Sequence, residues 1–462
     1  MDPVLILIGL LGLGIMVFIH ELGHFLAARA CGIEVEAFAL GWGPTLLRYK
    51  PGITEYRLAV FPIGGYCKMK GEQDMVDAVQ KKTEYLVASP GSFYGAKPWK
   101  RIIVAFAGPL VNLLFAIIAI TMIWFIGFTY ESPDNRIVLA ADYATGKNSN
   151  NSSLSTLDTG ESPAAKAGLK TGDRIISING IPTPNFADIR SNTAISARQE
   201  LSFKILRDGQ EITTQVKPIL DTESGAGLIG IMPWEEPVVK KAEGAAASGG
   251  LQENDRIISV NDIPVALSVD VAKVIQSAQG QMTFLVQRAG QNLSLGISPD
   301  YTAEKIPYIK VSYKGVTYHT PAMDIFTATQ YGYNQSIKTI ALTIHGIGLM
   351  FQGLNPVKAI QGPKRIIELI GCGTVDGFSR STGEGLRYFF NVLAYISIAL
   401  FFGNLLPIPA LDGGQILLFI WEAISRKPMK LRVIQRFQLV GAVLVIGLLL
   451  LAVYGDILSF FN

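Results

Sequence analysis

Apolar residues along this chain gather into four runs that reach bilayer length, which takes roughly 20 residues as a helix. The runs lie at about Val4–Arg29, Ile102–Phe128, Leu386–Leu411 and Leu439–Leu458. The third contains YFFNVLAYISIALFFGNLLPIPAL and spans only if its end unwinds at Pro407 and Pro409. Between the first and second runs the period shortens. VEAFALGWG, LLRYK and TEYRLAVFPIGGYCKM read as strands parted by Gly and Pro turn signals. This stretch is too apolar for an ordinary loop, and Phe38, Leu40, Trp42, Leu58, Val60 and Phe61 suit a small sheet dipping into the bilayer edge. A further apolar stretch, KTIALTIHGIGLMF, is shorter than a span and interrupted by Gly346 and Gly348, which predicts an interfacial or surface-docked helix.

The long segment between the second and third runs holds an internal repeat. KAGLKTGDRIISINGIP (Lys166 to Pro182) lies over SGGLQENDRIISVNDIP (Ser248 to Pro264) almost residue for residue. Each copy carries a Gly-Leu turn, an Asp-Arg pair, an alternating Ile-Ile-Ser-Ile/Val strand and a tight Asn-Gly or Asn-Asp turn. Two tandem β-rich domains of similar length follow. Asn254 stands where the first copy has Gly172, so the two need not bind alike. Ahead of the first copy, KNSNNSSLSTLDTGES reads as a flexible linker or long loop.

Composition agrees with a membrane protein carrying soluble parts. The 462 residues are 49% hydrophobic and 17% charged, with mean hydropathy +0.33. A net charge of +3 over this length gives no electrostatic case for nucleic acid or for an acidic substrate. Cys31, Cys67 and Cys372 lack any C-x-x-C spacing and read as free thiols. The N-terminal run has no basic n-region and is too long for an ordinary signal core, so it reads as a retained span.

Lys and Arg set the expected orientation, because they collect in cytoplasmic loops. They crowd the first loop, from Arg48 to Arg101, and the third, from Arg426 to Arg436. Both loops are then inside, with the long middle segment and both termini outside. The resulting division is a first transmembrane helix at 1–30, a cytoplasmic-side membrane-associated β-loop region at 31–101 and a second span at 102–128. It continues with β-rich domains at 129–221 and 222–312 and a helical segment at 313–385. A third span at 386–414, a cytoplasmic loop at 415–438 and a fourth span at 439–458 complete it.

The first run carries His20-Glu21-Leu22-Gly23-His24. H-E-x-x-H puts two imidazoles on one helix face, where both can bind one Zn²⁺. Glu21 can then take a proton from a water at the metal and pass it to a leaving amine. Such residues in a span are expensive unless they face a cavity, a metal or one another, and a cluster holding helices together is the bland alternative. A third ligand is needed, and Asp412 in NLLPIPALDGG is the candidate: Pro407 and Pro409 break the helix, and Gly413 and Gly414 free the backbone after the aspartate. From Val4 to His20 the helix rises about 24 Å, placing the site a short way inside the cytoplasmic face. His319 and His345 read as ordinary surface or packed histidines. A protease needs its substrate extended, and Arg57, Leu58, Val60 and Phe61 are the proposed edge strand that would hold it by strand addition.

HELGH in the first span, the distal LDG and the tandem outer repeats resemble the bacterial site-2 protease family, of the regulator of sigma-E protease type. The resemblance covers nearly the whole chain, and AGPLVN (Ala107 to Asn112), GWG and PIGGYCKM add to it. It implies a zinc metalloendopeptidase in the bacterial inner membrane that cuts single-span membrane proteins within the bilayer. The implied substrates are membrane-anchored anti-sigma factors and remnant signal peptides, usually after a site-1 type protease has removed the substrate's outer domain. It further implies that His20, His24 and Asp412 bind zinc, that Glu21 is catalytic and that Asn404 helps hold the substrate backbone. The two repeats resemble PDZ domains, with the implied role of a filter against bulky outer domains. The fold expected is thus a mixed membrane protein with four transmembrane α-helices, a membrane-associated β-rich loop and two tandem extracytoplasmic PDZ-like domains. Two readings from other classes stand beside it: a catalytically idle membrane receptor using its PDZ-like pair, and a transporter with an intramembrane ion path.

Overall fold

A computed structural model describes residues 3–71, 74, 77–78, 80–81, 83–86, 88–143, 162–221, 225–277, 280–302, 305–350 and 362–458. All but the last residue of the Asn/Ser-rich linker at 147–162 lie outside them. The chain forms two compact units, one gathering the N-terminal part to Phe128 with most of the chain from Thr320 onward, the other being Thr129–His319.

In the first unit, helix α1 (Pro3–Ala30) leads to strands β1 (Val35–Tyr49) and β2 (Glu55–Met69), and then to helix α2 (Pro98–Ile126). Later come α3 (Ile325–Met350), α4 (Pro363–Arg380), α5 (Thr382–Asn404), α6 (Asp412–Ser425) and α7 (Leu431–Leu458). Of these, α1, α2, α5 and α7 are long and apolar enough to cross a membrane. The chain is a multi-pass membrane protein. Met16 on α1, Ile370 on α4 and Leu393 on α5 pack together with no exposed surface. Helices buried in lipid gain by such close packing more than by leaving water.

Several boundaries in this unit differ from the reading of the sequence. The third span stops at Asn404, because Pro407 and Pro409 cannot continue the hydrogen-bond ladder, so it reaches neither Leu411 nor residue 414. The stretch expected as a cytoplasmic loop from 415 is largely helical, with α6 running to Ser425 and α7 starting at Leu431. The apolar stretch around His345 is the end of α3, which begins at Ile325 and lays Ala328 and Ser336 into the unit.

Both strands between α1 and α2 bend, and their arms pair more than once. Ala37–Leu40 pairs with Gly65–Lys68 on one side (Leu40 opposite Gly65, Phe38 opposite Cys67) and with Glu55–Leu58 on the other (Ala37 opposite Glu55, Leu40 opposite Leu58). Glu55–Leu58 pairs on its far side with the end of β1, Leu47 opposite Leu58 and Tyr49 opposite Tyr56. Phe25 and Val104 of the helices pack with Val35 and Phe38 beneath this sheet, while Trp42, Leu46, Leu47, Tyr49, Ile53 and Phe61 stay exposed.

The second unit contains two stretches that fold alike. In the first, the sheet runs Ile181–Pro182, Arg174–Ile178, Leu201–Arg207, Gln210–Val216; in the second, Ile263–Pro264, Arg256–Val260, Met282–Arg288, Gln291–Ile297. Alternation fills the two cores, with Leu201, Phe203 and Ile205 inward in one and Met282, Phe284 and Val286 in the other. Each such side chain taken from water contributes about 1.5–3 kcal/mol. A boundary at 221 falls inside the first stretch, because Ile231–Pro233 closes it by pairing with Ile137–Leu139. That partner is distant in sequence and carries no repeat signal. Gly172 and Asn254 both adopt the left-handed conformation, so the exchange of one for the other leaves the turn unchanged.

Candidate metal centre

His20 and His24, one turn apart on α1, stand with ring centroids 4.8 Å apart and their Nε2 atoms 3.1 Å apart. Asp412, the first residue of α6, brings Oδ2 to 3.2 Å from His20 Nε2 and 3.6 Å from His24 Nε2. Two ligand atoms at 2.0–2.1 Å from a tetrahedral Zn²⁺ stand about 3.3 Å apart. Observed separations of 3.1, 3.2 and 3.6 Å bracket that figure, so these three atoms fit around one zinc ion. Two imidazoles and one carboxylate, with a fourth position left open, form the donor set of a catalytic rather than a structural zinc.

Several local features set this geometry. Gly108 of α2 lies against the His24 ring, and a Cβ there would overlap it. Gly413 and Gly414 follow Asp412 inside α6, where added Cβ atoms would collide with the Leu405 and Ile408 carbonyls. They therefore permit close approach rather than backbone freedom. The left-handed residue of this turn is Ala410, at φ 81°. Arg101 of α2, itself buried, holds Glu422 of α6 at 2.7 Å and fixes the helix that carries Asp412. Breaking such a buried pair costs about 3–5 kcal/mol.

Glu21 turns toward the sheet, where its Oε2 accepts the Cys67 backbone N–H at 3.0 Å. Burial pushes the Cys67 thiol up to about 12, with the Glu21 carboxylate adding to the effect, so its sulfur stays neutral. His20, Glu21, His24, Asp412, Asn404 and Cys67 line one cleft of about 390 Å³. A carboxylate beside a cation seat, in a cleft that admits water, is the arrangement that metal-assisted hydrolysis needs.

The structure thus brings together His20, Glu21, His24, Asp412 and Asn404. It does not bring Arg57, Leu58, Val60 and Phe61 to the cleft, which none of the four lines. Nor are the first two on an edge: Arg57 lies between Ala39 and Arg48, and Leu58 between Leu40 and Leu47. Among the described residues, the strand beside Glu21 is Gly65–Met69, which pairs in the sheet with Val35–Leu40 and meets the carboxylate through Cys67 N–H. Alternation could not find it, because it gives the faces of a strand and not the order of strands in a sheet. Among the described residues, His319 and His345 join no group of metal-ligating side chains, and all three cysteines are free thiols.

A family model described as Peptidase family M50 matches residues 8–448. Similar proteins include one named a zinc metalloprotease in Treponema pallidum, 35% identical over 99% of both chains. The regulator of sigma E protease of Salmonella typhi is 28% identical over 97% of both chains. A zinc metalloprotease of Vibrio cholerae matches at the same identity and coverage.

Proposed function

The chain belongs to peptidase family M50 and is a zinc metalloprotease of the site-2 type, and from that premise we propose that it cuts single-span membrane proteins inside the bilayer. The observation that carries this reading is the meeting of His20, His24 and Asp412 with Glu21 in one cleft, on helices of which α1 is apolar enough to span.

His20, His24 and Asp412 would hold the ion, which supplies Lewis acidity toward the scissile carbonyl and the attacking water. Glu21 takes the proton of that water and hands it to the leaving nitrogen. Asn404, which also lines the cleft, would hydrogen-bond a substrate backbone. A peptide in a helix hides its carbonyls, so the substrate must be drawn out straight. The Gly65–Met69 edge is a template for that. Lys70 N–H bonds Glu34 within the sheet, so by alternation the N–H of Met69 faces outward, as that of Cys67 does toward Glu21.

In this reading the protein sits in a bacterial inner membrane with both termini outside and the zinc near the cytoplasmic face. Trp42, Leu47 and Phe61 touch lipid. The two like-folded outer stretches act as PDZ-like filters, and a site-1 type protease trims the substrate first. Anti-sigma factors and remnant signal peptides are the substrate classes. The test is cleavage of a single-span substrate by purified protein in detergent, with bound zinc measured alongside, for wild type and Glu21→Gln. Zinc retained with cleavage reduced by about 10²–10⁴-fold is expected for loss of a general base. Zinc-loaded wild type that leaves several substrates without outer domains uncut would overturn the reading.

A further inference from the structure

AGPLVN in the second span seats the His24 ring through Gly108, and its last residue also lies at the metal centre. Asn112 is completely buried in an apolar helix, and its side-chain Nδ2 lies 3.3 Å from His20 Nδ1. Among the described residues its Oδ1 is buried with no hydrogen-bond partner. A buried polar residue in a span is costly and needs a reason.

His24 supplies the comparison. Its Nδ1 lies 2.8 Å from the Val104 carbonyl, an atom that can only accept, so the Nδ1 proton is fixed and Nε2 is left with its lone pair toward Asp412. His20 has the same requirement. To bind zinc through Nε2, its Nδ1 must carry the proton and face an acceptor. With Nδ2 in that place an amide NH₂ faces it, donor against donor. Oxygen and nitrogen of an amide exchange places by a half-turn of the side chain and are assigned from the hydrogen bonds they make. After that half-turn Oδ1 stands at the 3.3 Å position and accepts from His20 Nδ1–H.

We propose that Asn112 is a positioning residue of the metal centre, whose Oδ1 accepts from His20 Nδ1–H and holds the imidazole in its zinc-binding tautomer. Helix α2 then provides the acceptors for both histidines of α1, from the Val104 backbone and the Asn112 side chain. This rests on the metalloprotease reading, which supplies the zinc. Asn112 touches no reacting atom.

The test uses the full chain in detergent and needs no substrate. Zinc affinity is measured by competition with a chromophoric chelator for wild type, Asn112→Asp, Asn112→Ala and Asn112→Leu, and the visible spectrum of the Co²⁺-loaded forms is recorded. Melting of the chelator-stripped proteins reports folding. Loss of an outer-shell partner typically weakens metal affinity by about 10–100-fold. Ala and Leu are expected to show that loss with a shifted cobalt spectrum, and Asp, which accepts without turning over, to stay close to wild type. If Leu does not fold, Ala and Asp decide. Wild-type affinity in Asn112→Ala, or a loss in Asn112→Asp as large as in Asn112→Ala, would refute the assignment alone. Failure of wild type itself to bind zinc would remove the metalloprotease reading, and this one with it.

Discussion

The backbone N–H of Cys67 donates to Glu21 Oε2 over 3.0 Å, so the acidic group of the first helix is seated on the edge of the sheet by a main-chain bond. No ordinary side-chain change at position 67 removes that bond, whereas proline does. A hydrogen bond to a charged group contributes about 1.5–3 kcal/mol, roughly a tenfold to hundredfold effect on rate if it is held through the reaction. Cys67→Ser is expected to cut a model substrate much as wild type does. Cys67→Pro, at an edge position that tolerates the missing donor, is expected to cut it at least tenfold more slowly. Equal rates for the two variants would show that the bond does not position Glu21.

Gly108 gives a steric prediction. A methyl group there overlaps the His24 ring, and α1 and α2 have no room to yield where Gly23 packs against the Ala107 carbonyl. Gly108→Ala is expected to lose bound zinc although every ligand is still encoded. Metal content of the purified variant checks this, and a full complement of zinc would mean that the two helices can part.

The second of the two like-folded stretches carries an acid-sensitive tie. Asp255, fully buried, receives Arg288 Nε and Nη2 at 2.7 Å each. Burial raises its pKa, but the Arg288 guanidinium and the Gln252 N–H outweigh it and hold the group below its ordinary 3.8. Because the folded value is the lower one, this stabilisation is fully present above pH 3.8 and fades as pH falls toward the folded value. Arg288→Met leaves a buried carboxylate without its cation and is expected to cost about 3 kcal/mol at neutral pH. With the partner gone the carboxyl prefers its proton, so the variant should recover stability between pH 7 and 5, where wild type changes little. Hydrogen exchange over this stretch in the full chain measures both. A variant whose stability is flat over that range would contradict the argument.

What the sequence made legible was local. His20, Glu21 and His24 are one turn of helix, and Asp412 announces itself by two prolines before it and two glycines after. The like-folded stretches were visible because their strand-turn pattern is repeated almost residue for residue. What escaped was non-local. The order of β-arms puts Arg57 and Leu58 inside the sheet and Gly65–Met69 at its rim, and period-two alternation is the same for both arrangements. The segment read as helical from 313 opens instead on a strand, Val316–Thr320, whose partner Phe128–Ser132 is distant in sequence. Asn112 did leave a signal, a lone amide midway along an apolar run, and what it faces became visible only once α1 lay beside α2.

Asp412 reaches back across most of the chain to meet His20. Zinc bound there would also act as a rivet, joining the start of α6 to α1. Ion at 100 times its dissociation constant would strengthen that joint by about 2.7 kcal/mol. While the rivet holds, the turn after Asn404 cannot swing away from α1. Breathing would then fall to elements that contribute no ligand: the bent sheet, and the sparsely buried α7. An enzyme so riveted would loosen its walls without loosening its chemistry.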